Sequence, residues 1–269
     1  MRHATTLVVG LTVLMVAASG ARADWRPNAA DPMEATNHKM HFPQMPDLQG
    51  WDVNFMRPRV LADDWTCSES GLVTDLHFWL SARWDYENLP FQIDEIHVSF
   101  HKNITATENP EGNWSMPGNL IRSYNLTPGM FQMRDWNETG LQGWLDPYQD
   151  PPVVEPDNHF RIWQVNIPRL PDPFRQEEGE IYWVDLSVIA SGAAGVNPPE
   201  LGWKTSRQHW EDAAVYGFLD PAVGGMDWRP LQGPTGEPLD LAFVITPEPA
   251  TLALLGLGAV GLAARRRRK

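Results

Sequence analysis

The stretch Glu180-Ile181-Tyr182-Trp183-Val184-Asp185-Leu186-Ser187-Val188-Ile189-Ala190-Ser191 decides the fold. Tyr182, Val184, Leu186 and Val188 share one parity, the period of two that a strand requires. Ile181, Trp183 and Ile189 make the opposite parity apolar too, so this strand is expected at the centre of a sheet with both faces covered. The same period recurs on either side of it. Ile96, Val98 and Phe100 alternate with Glu95, His97 and Ser99, and Trp163, Val165 and Ile167 alternate with Ile162, Gln164 and Asn166. Leu72, Leu76, Phe78 and Leu80 oppose Asp75, His77 and Ser81, which predicts a half-buried strand, and Leu239, Leu241, Phe243 and Ile245 supply a closing one. Turn-rich connections such as Asn109-Pro110-Glu111-Gly112 and Asp150-Pro151-Pro152 punctuate these segments. Many short strands and a single short helical stretch near 206–213 predict an all-β chain, an antiparallel β-sandwich of jelly-roll type.

Both ends carry addresses. Arg2 precedes an apolar run over 7–18, and Ala21-Arg22-Ala23 supplies the small residues that signal peptidase needs, so cleavage after Ala23 would start the mature chain at Asp24. A membrane anchor is the alternative, which the short run and small-residue exit disfavour. At the other end Pro247-Glu248-Pro249 is followed by an apolar run over 251–264 and by Arg265-Arg266-Arg267-Arg268-Lys269. As a helix that run would reach ~21 Å, short of the ~30 Å hydrocarbon core, which suits a temporary membrane stop. The basic cluster would stay cytoplasmic and leave the body outside. Gly256, Gly258 and Gly261 match a dinucleotide fingerprint, but the chain ends before the acidic residue which that fold needs.

These three parts in this order closely resemble the PEP-CTERM sorting signal of bacterial exported proteins. The resemblance implies processing by a membrane protease of the exosortase type. Within the body, LADDW (61–65), TDLHFW (74–79), HFRIWQVNIP (159–168), GEIYWVDLSV (179–188), GWKTSRQHWEDAAVYG (202–217) and LDLAFVI (239–245) resemble an uncharacterised family of exported bacterial domains that carry such tails. That likeness implies one extracellular domain and supplies no catalytic residue. The expected organisation is a signal peptide over 1–23, an extended proline-rich arm over 24–59, a sandwich over 60–246 and a sorting segment over 247–269. The protein is therefore expected at the cell surface or outside the cell, inserted in the membrane through its C-terminus only before processing.

Without the leader's two cations and the tail's five, residues 24–249 hold 14 Lys and Arg against all 34 Asp and Glu, a net charge of −20. Such a body repels nucleic acid and anionic lipid, and its partners should be neutral or cationic. Negative charge for solubility accounts for the same number. Cys67 is the only cysteine, so no intramolecular disulfide forms, and a buried inert thiol is its expected role.

Three sets of residues could carry chemistry. Asp63 and Asp64 could give oxygens to a calcium ion, or cap backbone amides, or be plainly exposed. His209, Glu211 and Asp212 place an imidazole beside two carboxylates, though sequence neighbours point to different sides. Trp79 and Trp84, with His77 and Arg83, would form a face on which pyranose rings stack, with core packing as the alternative for each indole. His38 and His41 read as an incidental pair. No G-x-S-x-G, H-E-x-x-H or P-loop pattern occurs. Two functions follow: a non-catalytic surface or matrix protein that binds extracellular polysaccharide, or a jelly-roll hydrolase or lyase with an acidic cleft.

Overall fold

The computed structural model describes residues 25–26, 40, 43–86, 91–136, 140–192, 199–218 and 226–246. The leader with Ala21 and Ala23, the pair His38 and His41, and the tail with Pro247, Glu248 and Pro249 lie outside them. Sixteen strands build a sandwich from two large sheets and a small one. The eight-stranded sheet runs Gln132–Asp135 (β7), Trp163–Ile167 (β10), Leu76–Ala82 (β4), Leu201–Lys204 (β13), Trp51–Asn54 (β1), Gln142–Asp146 (β8) and Val153–His159 (β9), with Phe243–Val244 (β16) also paired to β4. The six-stranded sheet runs Arg229–Pro230 (β15), Val215–Phe218 (β14), Arg59–Thr66 (β2), Ile181–Ser191 (β12), Gln92–Ile104 (β5) and Met116–Leu126 (β6). Gly71–Val73 (β3) and Phe174–Gln176 (β11) form a separate ribbon. Strand pairs are antiparallel except β1 with β8.

Burial explains this arrangement. β12 lies between β2 and β5, as its two apolar parities require. Tyr182, Val184, Leu186 and Val188 face the main core with Val53, Phe55, Phe78 and Leu80 of the opposite sheet. Trp183, on the other parity, packs with Val60, Ala62, Val215 and Trp228 in a smaller core on the outer side. An edge-on ring contact joins the layers, Trp65 to Phe243 at 6.0 Å between centroids, and Phe55 meets Phe78 edge-on at 6.3 Å on the larger sheet's side of the core.

Three expectations need correction. All of β4 is buried, where a half-buried strand was expected. Trp25 covers its outer parity, with centroids 6.4 Å from His77 and 5.9 Å from Trp79, and Trp136 lies edge-on to Trp79 at 5.1 Å. Residues 206–213 form no helix. Gln208 N–H donates to Ser206 Oγ and Trp210 N–H to Asp240 Oδ2, and Glu211 takes a left-handed φ of 61°. Residues 43–56, expected in an arm, supply β1 at the middle of the larger sheet, and single bridges tie Gln44 to Phe243 and Pro46 to Ser206. Prolines keep those bridges single, so no period betrays them.

The outer face of the larger sheet is polar yet covered: Asp52, Asn54, His77, Ser81, Gln142 and Lys204 are all buried there. The last described residues are equally enclosed. Ile245 N–H points to Met40 Sδ at 3.2 Å, and Thr246 Oγ1 donates to Asp75 Oδ2 at 2.5 Å. Cys67 is buried, as expected, with its Sγ 3.2 Å from Glu69 O.

Candidate functional site

Trp84 is the most prominent exposed indole. β4 ends at Ala82, and the chain turns through Arg83–Tyr86 with Trp84 at φ 59° and Asp85 at φ 57°. Two consecutive non-glycine residues in the left-handed region are strained, and such strain persists only where the surroundings hold it. The hold is visible. The buried Asp85 carboxylate accepts the backbone N–H of Phe160 at 2.7 Å and of Arg161 at 2.8 Å. Arg83 donates through Nε to Glu155 at 2.9 Å, through one terminal nitrogen to Glu200 at 2.5 Å and through the other to the second Glu155 oxygen. Its guanidinium lies 4.1 Å from the centroid of the Trp84 ring. Hydrogen bonds from Arg83, with further help from Asn158 and Trp84, hold Glu155 below the usual carboxylate range despite some burial. Trp84 thus has one face fixed by a cation and keeps 54% of its surface exposed, with Phe160 nearby at 42%. A flat apolar face with its backbone and edge fixed can stack on a sugar ring without first losing rotamer freedom.

Trp79 takes no part in this surface. It is fully buried between Trp25 and Trp136, so it packs the protein and cannot meet an external ring.

Asp63 and Asp64 lie inside β2, both buried. Neighbouring strand residues point to opposite faces, and the two carboxylates therefore do not converge on one ion. Asp63 Oδ2 accepts Gln44 Nε2 at 3.0 Å and Leu241 N–H at 2.6 Å, and its Oδ1 accepts Asp64 N–H at 2.8 Å. The Asp64 carboxylate accepts no close hydrogen bond among the described residues, and the backbone N–H of Asp212 opposes its burial without outweighing it. Burial first, then Asp240 and Asp64, push Asp63 well up; burial, Asp240, Asp212 and Glu211 do the same to Asp64. Asp240 rises to about 6, chiefly through burial. Among the described residues no group of three or more His, Cys, Asp or Glu is set to hold a metal ion.

His209 faces neither of its acidic neighbours. Its Nδ1 lies 3.5 Å from Asp240, while Glu211 accepts Thr66 Oγ1 at 2.9 Å. Two hollows accompany these elements. One of about 410 Å³ is lined by Trp114, Tyr216, Trp228 and Asp227, and one of about 520 Å³ by Asp47, Trp51, Arg207 and His209.

A second charged constellation escaped sequence reasoning: Lys204, Asp52 and His159 meet in the covered face of the larger sheet, each without exposed surface. Lys204 Nζ is 2.9 Å and His159 Nε2 2.7 Å from the same oxygen, Asp52 Oδ2. Among the described residues no helix is long and apolar enough to cross a membrane.

The profile of a domain of unknown function, DUF7901, matches residues 40–246, and that of the PEP-CTERM protein-sorting motif matches 246–268. No curated protein and no solved structure matches the chain.

Proposed function

We propose, from the premise that this chain belongs to the DUF7901 family and ends in a PEP-CTERM sorting signal, that its sandwich is a non-catalytic surface module that holds extracellular polysaccharide on Trp84. The motif itself implies an exported, surface-directed protein processed by exosortase-type machinery. Removal of the leader by signal peptidase and a temporary membrane stop at 251–264 complete the proposed route.

The observation that carries the binding role is the Trp84 indole, stacked on Arg83 beneath and open above, on a backbone held in the left-handed region by Asp85. Sugars offer apolar ring faces that stack on such a surface in water, where hydrogen bonds alone contribute little net affinity. A body of net charge −20 selects against uronate-rich or sulfated polymers, so the ligand is neutral or cationic. Asp63 and Asp64 are buried away from any polymer.

The test is retention of the purified protein on a panel of neutral, cationic and anionic polysaccharides, read together with release of reducing ends or unsaturated products. Retention on a neutral or cationic polymer that drops at least tenfold in Trp84→Ala, with no product, is expected. Turnover abolished by substituting one or two acidic residues would instead make the protein a carbohydrate-active enzyme. Retention unchanged in Trp84→Ala would remove the indole from the function.

A further inference from the structure

Lys204 lies directly opposite Asp52 across β13 and β1. The backbone bonds of this ladder, Thr205 N–H to Trp51 O and Phe55 N–H to Leu201 O, fall on either side of the pair. Asp52 and Lys204 therefore occupy a non-hydrogen-bonded position, where facing side chains come closest. Nζ reaches Asp52 Oδ2 at 2.9 Å and Trp51 O at 3.3 Å. His159, at the end of β9, brings Nε2 to within 2.7 Å of the same Oδ2, and its Nδ1 is taken by Asn158 Oδ1. Asp52 Oδ1 has no hydrogen-bond partner among the described residues.

The surroundings are enclosed. Trp144 pairs with Asp52 on the other side of β1, and it too is fully buried. A Cβ on Gly202 would lie 2.7 Å from Asp52 Cβ and 2.9 Å from Trp144 Cζ3, so only glycine lets the indole settle beside the carboxylate. Removing an ammonium and a carboxylate from water costs several kcal/mol for each ion, which their attraction only partly returns. Burial pulls the Lys204 ammonium down, toward the neutral amine that is a nucleophile. Burial alone would raise Asp52, but Lys204 and His159 together hold it below the usual range.

We propose that Lys204 and Asp52 condense into an intramolecular isopeptide bond that joins β13 to β1, with His159 carrying the proton. A proton passes from Nζ toward the carboxylate, and the ion pair becomes an amine facing an acid. The Nζ lone pair attacks Cγ, forming one C–N bond. His159 Nε2 takes a second proton from nitrogen and delivers it to Oδ2, the Cγ–Oδ2 bond breaks, and one water leaves. Nothing is oxidised or reduced, and no co-reactant is required. The product is a neutral amide in place of two buried charges, so the desolvation cost that opposes the ion pair drives the reaction. Residues 152 positions apart become one covalent loop, in a chain whose single cysteine provides no disulfide.

Peptide mapping of the denatured full-length protein decides this, and it needs no variant to fold. In the linked protein Lys204 resists trypsin, and its peptide is recovered joined to that of Asp52 at a mass one water below the sum. Recovery of both peptides separately, at their unmodified masses, would overturn the proposal and leave a buried ion pair. Lys204→Arg keeps the cation but has no amine able to condense in this way, so its map should show no joined peptide. A joined peptide that survives in Lys204→Arg would mean that another lysine is the donor and would equally overturn the assignment. In His159→Gln the linked fraction should fall several-fold at equal times after synthesis; an unchanged fraction would remove His159 from the step.

Discussion

Two buried groups of charged side chains, one in each large sheet, solve the same problem in opposite ways. In the eight-stranded sheet Asp52 faces Lys204 and His159, and the cations outweigh burial and hold it ionised. In the six-stranded sheet Asp63 and Asp64, on opposite faces of β2, both feel the negative charge of Asp240, and each added negative charge works in the same direction as burial. In the first arrangement each charge offsets part of its partner's burial, and removing one leaves the other stranded. The second is stabilised by protons and fails if they leave. A buried acid is thus informative only together with what lies opposite it.

The sharpest way to break the contrast is to remove one member of the opposed pair. Lys204→Met should destabilise the protein by about 3 to 5 kcal/mol, because it removes both the cation and the amine opposite Asp52 and leaves that buried carboxylate with His159 alone. Urea denaturation at neutral pH measures the loss, and combining it with Asp52→Leu should recover part of it. A Lys204→Met protein as stable as the wild type would show that the pair contributes nothing.

The like-charged cluster predicts a pH dependence of a particular sign. A carboxyl whose folded pKa is raised contributes stability that is fully present below its unfolded value, near 3.8, and is lost as pH rises through the folded one. For Asp240 that loss centres near 6, and Asp63 and Asp64, both raised, add to it with the same sign. His101, which Asp185 raises against the pull of burial, loses its contribution in the same direction. The melting midpoint should therefore fall from pH 5 to pH 8, and Asp240 alone should account for a loss of stability on the order of 1.4 kcal/mol over that window. Asp64→Asn should raise the midpoint at pH 8 and flatten the profile, and a flat wild-type profile would contradict the cluster's account.

The smallest effect belongs to the surface. Trp84→Ala should change stability by less than about 0.5 kcal/mol, since the indole is 54% exposed and its covered face meets only the Arg83 guanidinium at the surface. Trp84→Gly should be slightly more stable than Trp84→Ala because glycine accepts φ 59° without strain. Differential scanning calorimetry on the two variants checks both the size and the order.

Local period revealed β12 because both of its parities are apolar, and it revealed the all-β class for the same reason along the chain. It could not reveal β1, four residues reading Trp-Asp-Val-Asn, whose polar members face a covered surface. Lys204 carried no signal either, because its partner lies 152 residues away and charged strand residues ordinarily meet solvent. Trp84 has the even parity of Leu76, Phe78 and Leu80, and its exposure comes from the turn after Ala82, which strand period does not describe. Trp79 has the polar parity of His77 and Ser81 yet is buried, since the lids over it come from Trp25 and Trp136. The case of Asp63 and Asp64 differs. Their opposed parity was already on view in the sequence and weighs against a shared ion before any coordinates are seen.

The enclosure of Thr246 sets the mechanics of whatever is attached beyond it. β16 is paired along β4 in the larger sheet, and two residues later Thr246 is still buried and bonded to Asp75. The sorting motif begins at that same residue, so the folded body and its address share Thr246. A pull on Thr246 would be borne by its bond to Asp75 and, through β16, by the ladder with β4. Such a load enters the larger sheet at an inner strand, flanked by β10 and β13, and not at an edge.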